Sequence, residues 1–251
     1  MKSFYSAIQF LTIIPVKVGH ADEKKLPKAM IYFPLVGLLL GLVLAGTGYL
    51  LAGLNFDDFT INTILVVLLI ILTGGLHLDG LADTFDGLSG GKDREEMLKI
   101  MRDPHIGAMG VLGLITVLLL KISFLSSVSV SLKTGSLILM CVLGRWSMVF
   151  AMFLFPYARR IGVAKVFIDA VSYKIFFPAS IIALACVIAG WGLRGIVVFG
   201  IIAVSAYIIG RFINNRIKGI TGDSLGAINE LIEVITLFSI CILERIDLWK
   251  I

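Results

Sequence analysis

The residues best suited to chemistry lie in one stretch, Thr73-Gly74-Gly75-Leu76-His77-Leu78-Asp79-Gly80-Leu81-Ala82-Asp83-Thr84-Phe85-Asp86-Gly87. Asp79, Asp83 and Asp86 stand at i, i+4 and i+7, so a helix puts all three carboxylates on one face. Like charges at that spacing repel, and something cationic must make the arrangement tolerable. An oxygen-seeking divalent ion such as Mg²⁺ is the simplest candidate. The cluster also closes an apolar run, where ionisable groups are costly and usually functional. The alternative is a solvated helix end whose acids merely face water. His77, two residues before Asp79, points to a different part of the helix surface, as a packed histidine or as a substrate contact.

Three further polar clusters break the apolar pattern. They are Arg102-Asp103-Pro104-His105-Ile106-Gly107, Tyr157-Ala158-Arg159-Arg160 and Thr221-Gly222-Asp223-Ser224-Leu225-Gly226-Ala227, the last followed by Glu230 and Glu233. Carboxylates for a metal, opposed by arginines, suit a phosphate-bearing substrate. Each cluster also has a plainer reading. Arg159 and Arg160 could anchor a membrane boundary, and Asp223 could cap a helix.

The elements that must position these groups follow from composition. Of 251 residues, 58% are hydrophobic and 16% charged, and mean hydropathy is +1.00. A water-soluble domain carries roughly 25% charged residues. The fold class is therefore all-α, a polytopic helical membrane protein, with residues 1–251 forming a single integral-membrane domain. Disorder, a collagen-like repeat and a secreted disulfide scaffold are excluded. Cys141, Cys186 and Cys241 stand alone inside apolar runs, which points to packing rather than zinc or a disulfide framework. The net charge of +5 belongs to cytoplasmic loops and is no sign of nucleic acid.

A crossing helix needs about 20 apolar residues. Seven such spans are expected, near Met30–Leu54, Ile61–Leu81, Gly107–Val128, Gly135–Pro156, Ile175–Leu193, Gly195–Ile213 and Leu225–Leu243. Glycines recur through them, with Gly37, Gly41, Gly46 and Gly48 in the first, and permit close helix packing in lipid. Within the mostly apolar run from Phe4 to Val16, Pro15 ends a segment of only about a dozen residues, too short to span, so it reads as a retained interfacial or half-embedded helix. A removed signal peptide cut near Gly19-His20-Ala21 is the alternative.

With the N-terminus inside, sixteen Lys and Arg fall on the cytoplasmic side and four on the other, while Lys121 and Arg145 lie within spans. That asymmetry fixes the orientation. It also places the Asp cluster and the three other polar clusters on one face, although only cations entered the count.

The block Gly-Gly-Leu-His-Leu-Asp-Gly-Leu-Ala-Asp-Thr-Phe-Asp-Gly, the block Met-Arg-Asp-Pro-His-Ile-Gly and the block Thr-Gly-Asp-Ser-Leu-Gly-Ala, in this order, resemble the cobalamin synthase family. These enzymes are adenosylcobinamide-GDP ribazoletransferases. Phe10-Leu11-Thr12-Ile13-Ile14-Pro15 and Tyr32-Phe33-Pro34-Leu35-Val36-Gly37 fit the family too, so the resemblance covers nearly the whole chain. Asp-Ser-Arg is the commoner family form where this chain has Asp103-Pro104-His105.

The resemblance implies transfer of the cobinamide-phosphate group of adenosylcobinamide-GDP to α-ribazole or its 5′-phosphate, with release of GMP. It further implies Mg²⁺ as cofactor and an inner-membrane location with the active site on the cytoplasmic face. On this reading Asp79, Asp83, Asp86 and Asp223 are the metal ligands, and Asp83 or Asp223 serves as catalytic base. His77, Arg102, His105, Arg159 and Arg160 contact substrate. The partners are the two substrates and the lipid bilayer, without nucleic acid, and a homo-oligomer is compatible with the sequence.

Two other readings remain. Asp79-Gly80-Leu81-Ala82 echoes the start of the DGxxAR signature of CDP-alcohol phosphotransferases, but Asp83 and Thr84 occupy the Ala-Arg positions. A transporter would place its polar site near the midplane between repeats, and no repeat is seen.

Cysteine labelling in intact cells should find residues 89–105, 157–174 and 214–224 in the cytoplasm and residues 55–60 and 129–134 outside. Asp57 and Arg102 on the same side would overturn this orientation.

Overall fold

Apolar runs become helices because a segment in lipid must satisfy its own backbone N–H and C=O groups. The computed structural model of the chain describes residues 2–16 and 23–246. The signal-cleavage alternative at residues 19–21 lies outside the described residues. Helix α1 is Lys2–Leu11, followed by a 3-10 segment, Glu23–Tyr32, and by α2, Phe33–Gly53. Then come α3 (Asp58–Thr73), α4 (Leu76–Gly90), the short α5 (Arg94–Ile100), α6 (Ala108–Ser127) and α7 (Val130–Leu154). The short α8 (Val163–Ile168) precedes α9 (Tyr173–Trp191), a 3-10 turn at Gly192–Arg194, α10 (Gly195–Ile217) and α11 (Gly222–Arg245). The all-α membrane class is as expected.

Helix length and composition alone do not confirm a count of seven. Five stretches are long and apolar enough to cross a membrane, or six if α3 and α4 count together as one broken span. The span expected at Ile61–Leu81 ends at Thr73, where the chain bends by 91° between α3 and α4. Gly74 and Gly75 take φ of 62° and 70°, successive left-handed positions that only glycine adopts cheaply. The three aspartates therefore share one helix, as expected, but that helix is separate from the span it was thought to close.

A second bend lies within the 45-residue apolar stretch Tyr173–Ile217. Trp146 of α7 donates its indole N–H to Ser180 Oγ on α9 at 3.0 Å, and its ring lies 4.4 Å from that of Phe199 on α10. In one straight helix those two partners would stand roughly 28 Å apart. The chain therefore doubles back at Gly192–Arg194.

Helices α7 and α11 are central, and α7 packs most extensively along α2 and α11. A Cβ on Gly37 would lie 2.4 Å from the Cys141 carbonyl oxygen, and one on Gly41 would lie 2.6 Å from Ile138 Cα. Small residues four apart thus let α2 and α7 meet backbone to backbone. Helix α1 buries Ala7, Ile8 and Leu11 against the bundle. Cys141 and Cys241 are buried, Cys186 is half-buried, and all three are free thiols.

Sequence reading left two cations stranded inside spans, and the fold pairs both. Lys121 of α6 reaches Glu230 at 2.6 Å and also Glu233, both on α11, and Arg145 of α7 pairs with Glu233. Asn229 Nδ2 donates to Glu233 Oε1 at 3.1 Å. All these side chains are buried. Two positive and two negative groups cancel, so this network carries no net charge into the apolar interior.

Removing one partner of a buried pair strands the other charge and costs about 3–5 kcal/mol. Arg145→Met should therefore lower the thermal midpoint of the purified protein sharply. The double variant Arg145→Met/Glu233→Leu, which keeps the Lys121–Glu230 pair, should recover most of that loss. A double variant no more stable than the single one would show that charge balance is not what the network provides.

Candidate active site

The start of α11 is capped by a reciprocal pair. Thr221 Oγ1 accepts the Ser224 N–H at 3.1 Å, and Ser224 Oγ accepts the Thr221 N–H at 2.7 Å. Thr221 is the cap, so Asp223 does not have that task. Its carboxylate instead pairs with Arg159 at 2.8 Å and accepts the Thr221 hydroxyl at 3.3 Å.

Two glycines decide what stands beside it. A Cβ on Gly80 would lie 2.6 Å from the Asp223 carbonyl oxygen and 2.9 Å from its Cα. A Cβ on Gly226 would lie 2.9 Å from the His77 carbonyl oxygen. Helices α4 and α11 therefore touch backbone to backbone. Since Gly80 lies between Asp79 and Asp83 on α4, Asp223 is brought to both of them across more than half the chain.

The Arg159 loop is tied to the approach to α11. Ala158 N–H donates to the Ile220 carbonyl at 2.9 Å, and Ile220 N–H to the Pro156 carbonyl at 2.8 Å. Gly219, at φ 151°, has no room for a Cβ, which would meet the Pro156 oxygen at 2.6 Å. Arg94 closes the seam by donating to the carbonyls of Ile217, at 2.9 Å, and Ala158. Sequence reading missed Arg94, because nothing in its neighbourhood marks its distant carbonyl partners.

Arg102 is exposed, its Nη2 donates to the Ile161 carbonyl at 3.4 Å, and it stands between two pockets. One is acidic and holds Asp79, Asp83 and Asp103. The other, about 470 Å³, is basic and holds Arg94, Lys99, Arg159 and Arg160. Carboxylates and guanidinium groups thus meet along one continuous face, which can bind a metal–phosphate unit.

Asp86 and His105 are differently employed. Asp86 accepts the N–H of Gly107 and of Gly110, each at 2.7 Å, and so caps α6, whose own N-cap residue, Gly107, has no side chain. A Cβ at either glycine would fall 2.4 Å from an Asp86 oxygen. His105 Nδ1 lies 2.7 Å from Asp103 Oδ1, which also accepts the His105 backbone N–H at 2.9 Å. These bonds, the backbone one foremost, hold the Asp103 carboxyl below the usual carboxylate range. His105 shares a pocket with Asp86 and Asp103, not with Asp79 and Asp83.

His77 is buried, and neither ring nitrogen has a hydrogen-bond partner among the described residues. It borders a partly open, largely apolar cavity whose wall also includes Asp79 and Asp223.

Among the described residues no three Asp, Glu, His or Cys side chains gather into a ready-made metal cage. Mg²⁺ does not require one, since it keeps several waters and commonly takes one or two carboxylates plus substrate phosphates. Asp79 and Asp83, which share the acidic pocket, fit that pattern. Asp86 fits it poorly, because each of its oxygens already accepts an N–H.

A family model described as cobalamin-5-phosphate synthase matches residues 3–241. Among curated relatives, an adenosylcobinamide-GDP ribazoletransferase of Desulforamulus reducens is 39% identical over 240 residues, covering 96% of both chains. One from a Roseiflexus species is 38% identical over 232 residues, covering 92% of this chain and 86% of the relative. One from Caldanaerobacter subterraneus is 38% identical over 249 residues, covering 97% and 99%. No solved structure matches the chain.

Asp86→Ala should leave two N–H groups at the start of α6 without their acceptor and lower stability by about 1–3 kcal/mol, the penalty for an unsatisfied buried donor. Asp86→Asn keeps one acceptor oxygen and should lose less. Thermal unfolding in detergent reads both. An Asp86→Ala protein as stable as its parent would remove this capping role.

Proposed function

This chain belongs to the cobalamin-5-phosphate synthase family, and we propose that it is an adenosylcobinamide-GDP ribazoletransferase. A hydroxyl of α-ribazole, or of its 5′-phosphate, attacks the cobinamide-side phosphorus of adenosylcobinamide-GDP. A P–O bond forms to the nucleophile, the diphosphate P–O bond breaks, and GMP leaves. The hydroxyl proton passes to a carboxylate. The observation that carries this reading is the convergence of Asp223 with Asp79 and Asp83 on a face that continues into Arg102, Arg159 and Arg160.

Such a transfer needs charge on the diphosphate neutralised and the nucleophile held in line. Mg²⁺ bound by Asp79 and Asp83 would supply part of that neutralisation. Asp223 and Asp83 are the candidate bases, and an ion pair with Arg159 holds the Asp223 carboxylate in place. Arg102, Arg159 and Arg160 hold the diphosphate and the departing GMP, as the basic pocket suggests. Asp86 stands behind them and fixes the start of α6.

The charge asymmetry of the loops supports an inner-membrane protein with this face in the cytoplasm. The CDP-alcohol phosphotransferase likeness stops at Asp79–Ala82, whereas the family model runs over residues 3–241.

Purified protein given adenosylcobinamide-GDP, α-ribazole and Mg²⁺ should release GMP in step with cobalamin formation. Asp83→Asn and Asp223→Asn should each lower turnover by about 10²–10⁴-fold, the scale of a lost general base, in protein that stays folded. Near-normal turnover in both would overturn the assignment of these carboxylates.

A further inference from the structure

The basic pocket, about 470 Å³, contains one group that phosphate binding does not explain. Glu95 is exposed and lines it together with Lys99, Arg102, Arg159 and Arg160. A carboxylate repels phosphate, and among the described residues its oxygens take no hydrogen bond and no ion pair from these cations. A helix start favours any acid, but the start of α5 is already provided for. Asp93 Oδ1 accepts the N–H of Glu95 and of Glu96, each at 2.9 Å, and Glu96 Oε2 accepts the Lys92 N–H at 2.8 Å. The Glu95 carboxylate is therefore spare.

Its neighbours complete a pattern. Lys99 stands one turn further along α5, so an acceptor and a donor share one helix face. Leu98 and Ile161 also line the pocket, and Ile161 is 81% exposed although its carbonyl is held by Arg102. At the far side, Arg159 pairs with Asp223 at 2.8 Å and joins the pocket to the reacting face.

We propose that Glu95 reads the guanine of the donor substrate, accepting its ring N–H and its amino group, while Lys99 donates to the guanine carbonyl and the arginines take the phosphates. The proposal rests on the transferase reading above and deepens it by naming the residue that selects the nucleotide. Guanine sets two donors side by side next to a carbonyl acceptor, and a carboxylate is the side chain that only accepts. Adenine sets an unprotonated ring nitrogen beside its amino group, so one carboxylate oxygen would face a lone pair. Leu98 and Ile161 offer apolar surface to the faces of the base, which removes both from water.

The test gives full-length protein in nanodiscs either adenosylcobinamide-GDP or its ADP counterpart, with α-ribazole and Mg²⁺. Glu95→Gln exchanges one acceptor for a donor, which suits the adenine edge better than the guanine edge. The KM for adenosylcobinamide-GDP should rise about 10–100-fold, the scale of one bidentate base contact, while the KM for α-ribazole stays put. The preference for GDP over ADP in kcat/KM should shrink by about tenfold or more on the same ground. A variant that keeps the parental preference, or a shift falling on α-ribazole, overturns the proposal and leaves the transferase reading standing. An unmodified protein that transfers nothing at saturating substrates sinks that reading instead.

Product inhibition of the unmodified protein gives a second measurement that needs no variant to fold. GMP should compete with adenosylcobinamide-GDP about tenfold or more better than AMP. IMP, which keeps the ring N–H and lacks the amino group, should fall between them. Equal inhibition by GMP and AMP, or none by GMP, overturns the proposal.

Discussion

The buried pairing of Lys121 and Arg145 with Glu230 and Glu233 constrains the height of α11 in the bundle. The four buried charges come from three helices, α6, α7 and α11, and each meets its partner only in one register. Sliding α11 by a turn would leave a carboxylate or a cation unpaired where water cannot reach it, and the penalty for that exceeds what most packing changes can offset. Glu230 stands two helical turns beyond Asp223 on the same helix. A register set by the ion pairs is therefore also the register that brings Asp223 level with Gly80.

Glycine does the complementary work on α4. The left-handed pair Gly74-Gly75 turns the chain away from α3, so that α4 can lie against the end of α11 instead of continuing through the bundle. Gly80 and Gly226 then remove the side chains that would hold the two helices apart. At the same end, Asp86 fastens α6 through its first N–H groups, and the Tyr157–Ile220 bridge with Arg94 fastens the arginine loop. At the other end of the bundle, Lys133 of α7 pairs with Asp58 of α3, away from the carboxylate face. The result is a site whose three surroundings differ in kind. It has an acidic patch, a basic pocket and a largely apolar cavity.

Much of this was legible in the sequence, because local rules carry it. Apolar length and the absence of water dictate helices, and the i, i+4, i+7 spacing puts three aspartates on one α4 face whatever the helix packs against. The gathering of polar clusters at one end follows from counting crossings, and the face shared by Asp79, Asp83, Asp223 and Arg159 agrees with it. The block of residues around Asp79 identifies the family without any coordinates.

What only the tertiary structure decided is which group meets which. Ile61–Leu81 read as one span because glycine is tolerated in membrane helices, and nothing local shows that both Gly74 and Gly75 adopt positive φ. Asp86 looked equivalent to Asp79 and Asp83, but its partners are backbone N–H groups more than twenty residues away. For Asp223 the sequence left a helix cap open beside the expected metal or base role, and Thr221 and Ser224 fill the cap. Lys121 and Arg145 looked like isolated charges in lipid until α11 supplied Glu230 and Glu233. In each case the residue type sets what partner is needed, and only the packing of distant helices sets who provides it.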